Sequence, residues 1–177
     1  MAERTEFRLS GSGGQGIITA GIVLAEAAIL EGKNAIQTQS YGPEARGGAS
    51  KAEVVISLGE IDYPKATVPD YLLCLTSEAF RLFGADAPED TVVIVDSYVQ
   101  TEGSSRKVIS VPIIQTAQSD FKPIVANVIA LGFLVAYTEI VTQEAAETAL
   151  LRRIPKGTEE LNKKALAAGF ALAKTAV

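Results

Sequence analysis

The sequence predicts an α/β fold: a three-layer sandwich around a mostly parallel sheet, with a Rossmann-like glycine loop near its start and helices in its C-terminal part. Three observations carry this. Tyr71 to Leu75 and Val92 to Val95 are continuous apolar runs, the pattern of central parallel strands buried on both faces. A glycine cluster, Gly11 to Gly16, stands between a short apolar strand and a long apolar helical stretch. Two amphipathic stretches, each opened by a threonine (Thr142 and Thr158), occupy the last third of the chain. A length of 177 residues suits one domain. No repeat, low-complexity tract or linker divides residues 1–177.

The elements follow in order. Phe7 to Leu9 forms a strand that runs into the glycines. Gln15 to Glu31 is a helix apolar almost all round, through Ile17, Ile18, Ile22, Val23, Leu24, Ala28 and Ile29, so it is buried on most faces. Gly32 stands where a left-handed cap ends a helix. Asn34 to Gln39 is a second strand. Lys51 to Leu58 alternates, with Ala52, Val54, Ile56 and Leu58 on one face and Lys51, Glu53 and Ser57 on the other. That period of two predicts a half-exposed strand, antiparallel or near an edge. Ser77 is placed to cap a short helix to Phe83, and Val108 to Val111 is a last short strand. Pro123 suits the first turn of a buried helix reaching Tyr137.

Composition excludes several classes of function. The net charge is −5, and no basic run interleaves with aromatics, which argues against nucleic-acid binding. The longest apolar stretch, Ile124 to Tyr137, is too short to span a bilayer. The opening Met-Ala-Glu-Arg-Thr-Glu-Phe is polar and mixed in charge, unlike a signal peptide. Cys74 is the only cysteine, so no intramolecular disulfide forms, and a reducing cytoplasm is the expected location. There is no histidine, which removes Ser-His-Asp and Cys-His chemistry and nearly all zinc sites. One cysteine cannot hold an iron–sulfur cluster, and Cys74, inside Leu-Leu-Cys-Leu, reads as a core residue. The mean hydropathy is slightly positive. A large core accounts for that, and so does surface buried against partner subunits.

Two motifs carry chemistry. Gly11-Ser12-Gly13-Gly14-Gln15-Gly16 fits G-x-G-x-x-G after a strand and at the opening of a helix. Such a loop lets backbone approach a phosphate, and the helix start offers unpaired N–H groups with a positive dipole end. A structural tight turn explains the same glycines. An NAD or FAD site would also need Asp or Glu at the end of the second strand, where Gln39 and Ser40 stand. The second motif, Tyr41-Gly-Pro-Glu-Ala-Arg-Gly-Gly48, sets Glu44 and Arg46 on a loop stiffened by Pro43. These two are the candidate catalytic residues; a plain surface ion pair is the alternative.

Together, Gly-Ser-Gly-Gly-Gln-Gly-Ile-Ile, Leu-Ala-Glu-Ala-Ala and Gln-Ser-Tyr-Gly-Pro-Glu-Ala-Arg-Gly-Gly-Ala-Ser resemble the gamma subunit of 2-oxoacid:ferredoxin oxidoreductases, most closely the 2-oxoglutarate branch. The likeness continues through Val95-Asp96, Ala126 to Gly132 and Lys156 to Leu166, and covers essentially the whole chain. It implies a share in the oxidative decarboxylation of a 2-oxoacid to an acyl-coenzyme A, with electrons passed to ferredoxin. Thiamine diphosphate and the iron–sulfur cluster would belong to alpha and beta (and delta) partner subunits. The gamma part would help bind coenzyme A through the glycine loop, cover the active site, and be inactive alone. A structural adaptor without its own ligand and a stand-alone Rossmann-type oxidoreductase are the competing readings.

Overall fold

The computed structural model of the chain describes residues 4–40, 49–102, 105 and 107–176. Six strands are formed: β1 (Arg4–Ser12), β2 (Asn34–Ser40), β3 (Ala49–Ser57), β4 (Tyr71–Cys74), β5 (Val92–Asp96) and β6 (Ile109–Val111). They make one mixed sheet in the order β2-β3-β1-β4-β5-β6. The run β1-β4-β5-β6 is parallel, while β3 is antiparallel to both β1 and β2.

The apolar runs behave as their pattern predicts. Successive residues of a strand point to opposite faces, and both faces are covered. Phe7, Leu9, Val54, Leu73 and Ile94 enter a large core with the helices. Leu72, Cys74, Val93 and Val95 form a second, smaller cluster with Ala79 and Phe80 on the other side. The helices of the large core are α1 (Ile17–Leu30), α3 (Ile113–Asp120), α4 (Ala126–Thr138), α5 (Gln143–Leu151) and α6 (Glu159–Ala173). Helix α4 is buried from Ala126 to Val135 without a polar face, as its sequence demands. Helix α1 ends as expected. Gly32 has φ +78°, its N–H donates to Ile29 O (3.0 Å), and Lys33 N–H donates to Ala28 O (3.0 Å), a Schellman pair of bonds.

Strand β3 departs from its sequence reading. It is antiparallel, but it lies inside the sheet, and Glu53, Val55 and Ser57 on its polar side are buried. The cover on that side is built from charge. Arg8 of β1 bonds Glu53 Oε1 (2.8 Å), and Lys51 reaches the same oxygen (3.0 Å). Arg8 also donates to Ala66 O (2.8 Å) and Arg4 to Tyr63 O (3.0 Å), which ties residues 58–70 down over the ion pairs. A period of two marks polar side chains and cannot tell solvent from a salt-bridged layer. Leu58 was expected on the buried face; it lies past the strand end and is 60 % exposed.

Three further differences concern helix starts. Thr76, not Ser77, caps the short helix α2 (Ser77–Ala79), its hydroxyl accepting from Ala79 N–H (3.1 Å), and the helix then opens into a π turn, Phe80–Gly84. Helix α3 had no local signal. Its start is capped from a distance by Asp96 at the end of β5, whose Oδ2 accepts from Ile114 N–H (2.7 Å). Pro123 begins a 3-10 turn, Pro123–Val125, which leads into α4. Thr142 caps α5 through Ala145 N–H (3.2 Å). Thr158 stands at the start of α6, but its hydroxyl donates to Pro155 O (2.7 Å) instead of accepting from the helix. Among the described residues, no helix is long and apolar enough to cross a membrane.

Candidate functional site

The candidate site lies where β1 ends and α1 begins. Gly11 and Ser12 are still strand residues, Gly13 and Gly14 make the turn, and Gln15 leads to Gly16, the N-cap of α1. The six positions have different physical reasons. A Cβ on Gly11 would fall 2.5 Å from Gln15 Oε1, because the Gln15 side chain folds back and accepts Ser12 N–H (2.7 Å). Gly16 has φ +74°, and a Cβ there would lie 2.8 Å from Asn127 Cγ. Asn127 of α4 packs beneath the turn and donates to Gly16 O (3.2 Å), which also accepts from Ala20 N–H (3.1 Å). Gly14 has φ +89° but open space around it. Gly13 and Gly14 are exposed.

Among the described residues, no side chain caps the start of α1. Its N-cap is a glycine with no side chain to accept from the first N–H groups, and no acidic residue occupies its first turn. These features fit a phosphate-bearing group. They do not fit a dinucleotide well. In a dinucleotide-binding unit the second parallel strand lies beside the first and brings its acidic residue to the ribose. Here β3 is inserted between β1 and β2, so the end of β2 is two strand spacings, about 10 Å, from that of β1. The Rossmann-like loop expected from the glycine pattern is thus a strand-to-helix turn outside an adjacent parallel strand–helix–strand unit.

Glu44 and Arg46 lie outside the described residues, as does the whole segment Tyr41–Gly48. The segment's two flanks are described. Ser40 ends β2 opposite Lys51, and Ala49 opens β3 opposite Ser12. Ser50 Oγ stands 3.4 Å from Gly11 O as a donor. Both attachment points therefore sit at the sheet edge where the glycine turn opens. In open sheets, ligands gather at the carboxyl ends of the parallel strands. A cleft of about 500 Å³, lined by Thr91, Val92, Lys107, Ile109 and Tyr137, opens at the opposite ends of β5 and β6 and is not part of this edge.

Cys74 is a core residue, as its sequence setting predicts. Burial pushes its thiol up to about 11, against the smaller opposing effects of the Ser10 hydroxyl (3.4 Å) and Arg8. Asn127 is the site residue that sequence reasoning missed. It was visible within Ala126 to Gly132, but nothing local assigns an asparagine in an apolar helix to a loop 111 positions away.

Comparison with known proteins now decides the family. The model of the family described as pyruvate ferredoxin/flavodoxin oxidoreductase matches residues 6–172. The chain belongs to this family. It is 49 % identical, over 97 % of its length and 95 % of the other's, to 2-oxoglutarate synthase subunit KorC of Methanocaldococcus jannaschii. The fold matches the crystal structure of the gamma subunit of keto/oxoacid ferredoxin oxidoreductase from Geobacter sulfurreducens (TM-score 0.87, 49 % identity, 99 % of both chains). It also matches 32 % of a chain of 2-oxoglutarate:ferredoxin oxidoreductase from Magnetococcus marinus, determined with 2-oxoglutarate, coenzyme A and succinyl-CoA bound (TM-score 0.85, 100 % of this chain). At 21 % identity that second match is a likeness of fold. The resemblance of the sequence to oxidoreductase gamma subunits is upheld, and the six-stranded mixed sheet of this chain, with helices on both sides, matches the fold of that gamma subunit.

Proposed function

We propose that this chain is the gamma subunit of a 2-oxoglutarate:ferredoxin oxidoreductase, and that its glycine turn and the segment Tyr41–Gly48 contribute to holding coenzyme A. The likeness to a 2-oxoglutarate synthase subunit, 49 % over nearly the full length of both chains, carries the proposal. The reaction converts 2-oxoglutarate to succinyl-coenzyme A with loss of carbon dioxide, and two electrons leave to ferredoxin. Thiamine diphosphate and an iron–sulfur cluster, held by alpha and beta (and, where present, delta) partners in the cytoplasm, supply the carbanion chemistry and the electron outlet.

This chain's own work is binding and orientation. The open start of α1 offers N–H donors to a phosphate, and the exposed Gly13 and Gly14 leave room for its approach. Arg46 can fork onto a phosphate or carboxylate, and Glu44 can hold it in place. The adaptor reading also has support, because the Gly11 and Gly16 positions are explained by contacts within the chain, through Gln15 and Asn127. Reconstitution tests both. The chain is combined with the partner subunits from its own cell, and 2-oxoglutarate-dependent reduction of ferredoxin is followed while coenzyme A is varied. Activity that needs the chain, with a coenzyme A KM raised by Arg46→Lys in an intact complex, supports the proposal. An intact complex whose coenzyme A dependence ignores both Arg46→Lys and Gly14→Asp leaves the adaptor reading. Equal activity without the chain removes both.

A further inference from the structure

Strand β2 is an outer strand of the sheet, and it lacks what guards a natural sheet edge. Exposed edges usually carry charge, proline, a bulge or a very short strand, because unpaired N–H and C=O groups otherwise template another strand. The other outer strand, β6, has three residues. β2 has seven, Asn34-Ala-Ile-Gln-Thr-Gln-Ser40, with no charge and no proline. It pairs with β3 residue for residue from Asn34 to Ser40, so no bulge interrupts it.

Helix α1 adds a second feature on the same flank. Gly21 of α1 lies over this part of the sheet, where an added Cβ would be 3.6 Å from Gln37 Cγ. Beside the sheet-facing stripe, helical spacing aligns Ile18, Ile22, Ala25 and Ile29. Ile29 is 56 % exposed, and Ile18 and Ile22 are half-buried. Among the described residues, the outer side of β2 has no strand partner, and it runs alongside an isoleucine stripe that is exposed at Ile29.

We propose that this edge is a homodimer interface, in which a second copy of the chain adds its own β2 antiparallel about a twofold axis that passes between the two Gln37 residues. A twofold interface must be self-complementary, and this strand is. Self-pairing sets Asn34 against Ser40, Ala35 against Gln39, Ile36 against Thr38, and Gln37 against itself. No like charges meet, and Ile36 against Thr38 is a favourable β-branched pair. The axis is normal to the sheet, so the two α1 helices lie on the same face and bury their isoleucine stripes against each other. The inference does not depend on the coenzyme A reading.

The test measures the mass of the full chain in solution by light scattering after gel filtration. The wild type is expected at twice the chain mass. Gln37→Lys and Gln37→Glu each set like charges opposite one another at the axis, and each is expected at the mass of one chain with an unchanged far-UV circular dichroism spectrum. An equimolar mixture of the two is expected to return to twice the chain mass. Should either variant fail to fold, hydrogen exchange of the wild-type β2 amides decides: their exchange slows on concentration if the edge pairs with itself. A monomeric wild type, dimers that survive both substitutions, or β2 amides protected only on adding another subunit each overturn the proposal.

Discussion

Gly132 of α4 and Gly169 of α6 face each other where the two helices cross. A Cβ on Gly132 would lie 3.1 Å from Gly169 Cα, and one on Gly169 would lie 2.8 Å from Gly132 Cα and 2.7 Å from Phe133 N. Backbone meets backbone here, so no side chain can swing aside to make room. Of the segments that carry the family likeness, Ala126–Gly132 lies in α4 and Lys156–Leu166 runs through the turn before α6 into its first half.

Alanine at either glycine should force the helices apart. Overpacking of this kind costs roughly 1–3 kcal/mol, against a helix-propensity gain of about 1 kcal/mol for replacing glycine. Gly169→Ala should therefore lower the urea midpoint, and Gly132→Ala should do likewise. Alanine at the exposed Gly157, with φ +88° and open space around it, should show only the milder strain of its backbone angle. Equal midpoints for Gly169→Ala and wild type would show that the helices can separate at little cost.

Asp96 joins the end of β5 to the start of α3. It is fully buried, its Oδ1 accepts Tyr98 N–H (2.9 Å), and its Oδ2 accepts Ile114 N–H (2.7 Å). Asp96→Ala leaves both donors unpaired, at about 1–3 kcal/mol each. Asp96→Asn keeps one acceptor oxygen and should lose less. Chemical denaturation of the two variants should rank them in that order, with α3 amides exchanging faster in Asp96→Ala.

Acid should release the contacts that hold α1 against α5. The Arg153 hydrogen bond, outweighing burial, holds Glu26 below its ordinary value of 4.5. Burial raises Glu31, but bonds from Lys33 and from Thr142 outweigh it and leave Glu31 lowered too. A lowered carboxylate contributes stability that is present above the unfolded value and lost as pH falls through the folded one. Glu26→Gln should thus have a lower Tm than wild type at neutral pH, and the gap should close below about pH 4. Glu26 and Arg153 are solvent-exposed enough that added salt should narrow the gap at neutral pH.

The Cys74 thiol should resist alkylation at pH 8 in the native chain and react on unfolding. Its thiolate is disfavoured by burial, to about 11, and no part of it reaches solvent. Titration with a chromogenic disulfide reagent, with and without denaturant, checks this. Fast native labelling would mean that the small cluster around Leu72 and Phe80 opens readily.

Much of the fold was legible because burial writes itself into periodicity. Tyr71 to Leu75 and Val92 to Val95 are covered on both faces and carry no polar alternation. Gly32 and Thr142 act within their own turn, so their signals are local. What escaped depends on partners far along the chain. The burial of β3 needs Arg8, 45 positions from Glu53. Helix α3 needs Asp96, 18 positions from Ile114. The insertion of β3 between β1 and β2 changes the meaning of the glycine pattern, and no residue within Gly11–Gly16 encodes it. The site was legible as a strand-to-helix turn, while the separate reasons for its glycines required Gln15 and Asn127 in three dimensions.

The glycine turn should separate into structural and ligand-facing positions. Gly16→Ala adds the strain of a left-handed backbone, roughly 1–2 kcal/mol, to a collision with Asn127 Cγ at 2.8 Å. It should lower the stability of the isolated chain. Asn127→Ala removes the bond to Gly16 O and should partly rescue Gly16→Ala by opening space, so the two changes should combine less than additively. Gly14→Ala meets only the backbone strain of φ +89°, because nothing lies within 4 Å. Gly14→Asp adds a negative charge beside the open start of α1, where it should repel a phosphate. If the turn contributes to coenzyme A binding, Gly14→Asp should raise the coenzyme A KM of the reconstituted complex more than Gly14→Ala, with kcat little changed, as expected for lost uniform binding. Gly16→Ala should instead act through the amount of folded chain, and its residual activity should show a normal KM. A coenzyme A KM that is the same for all three variants, in complexes of equal subunit content, would assign the turn to structure alone.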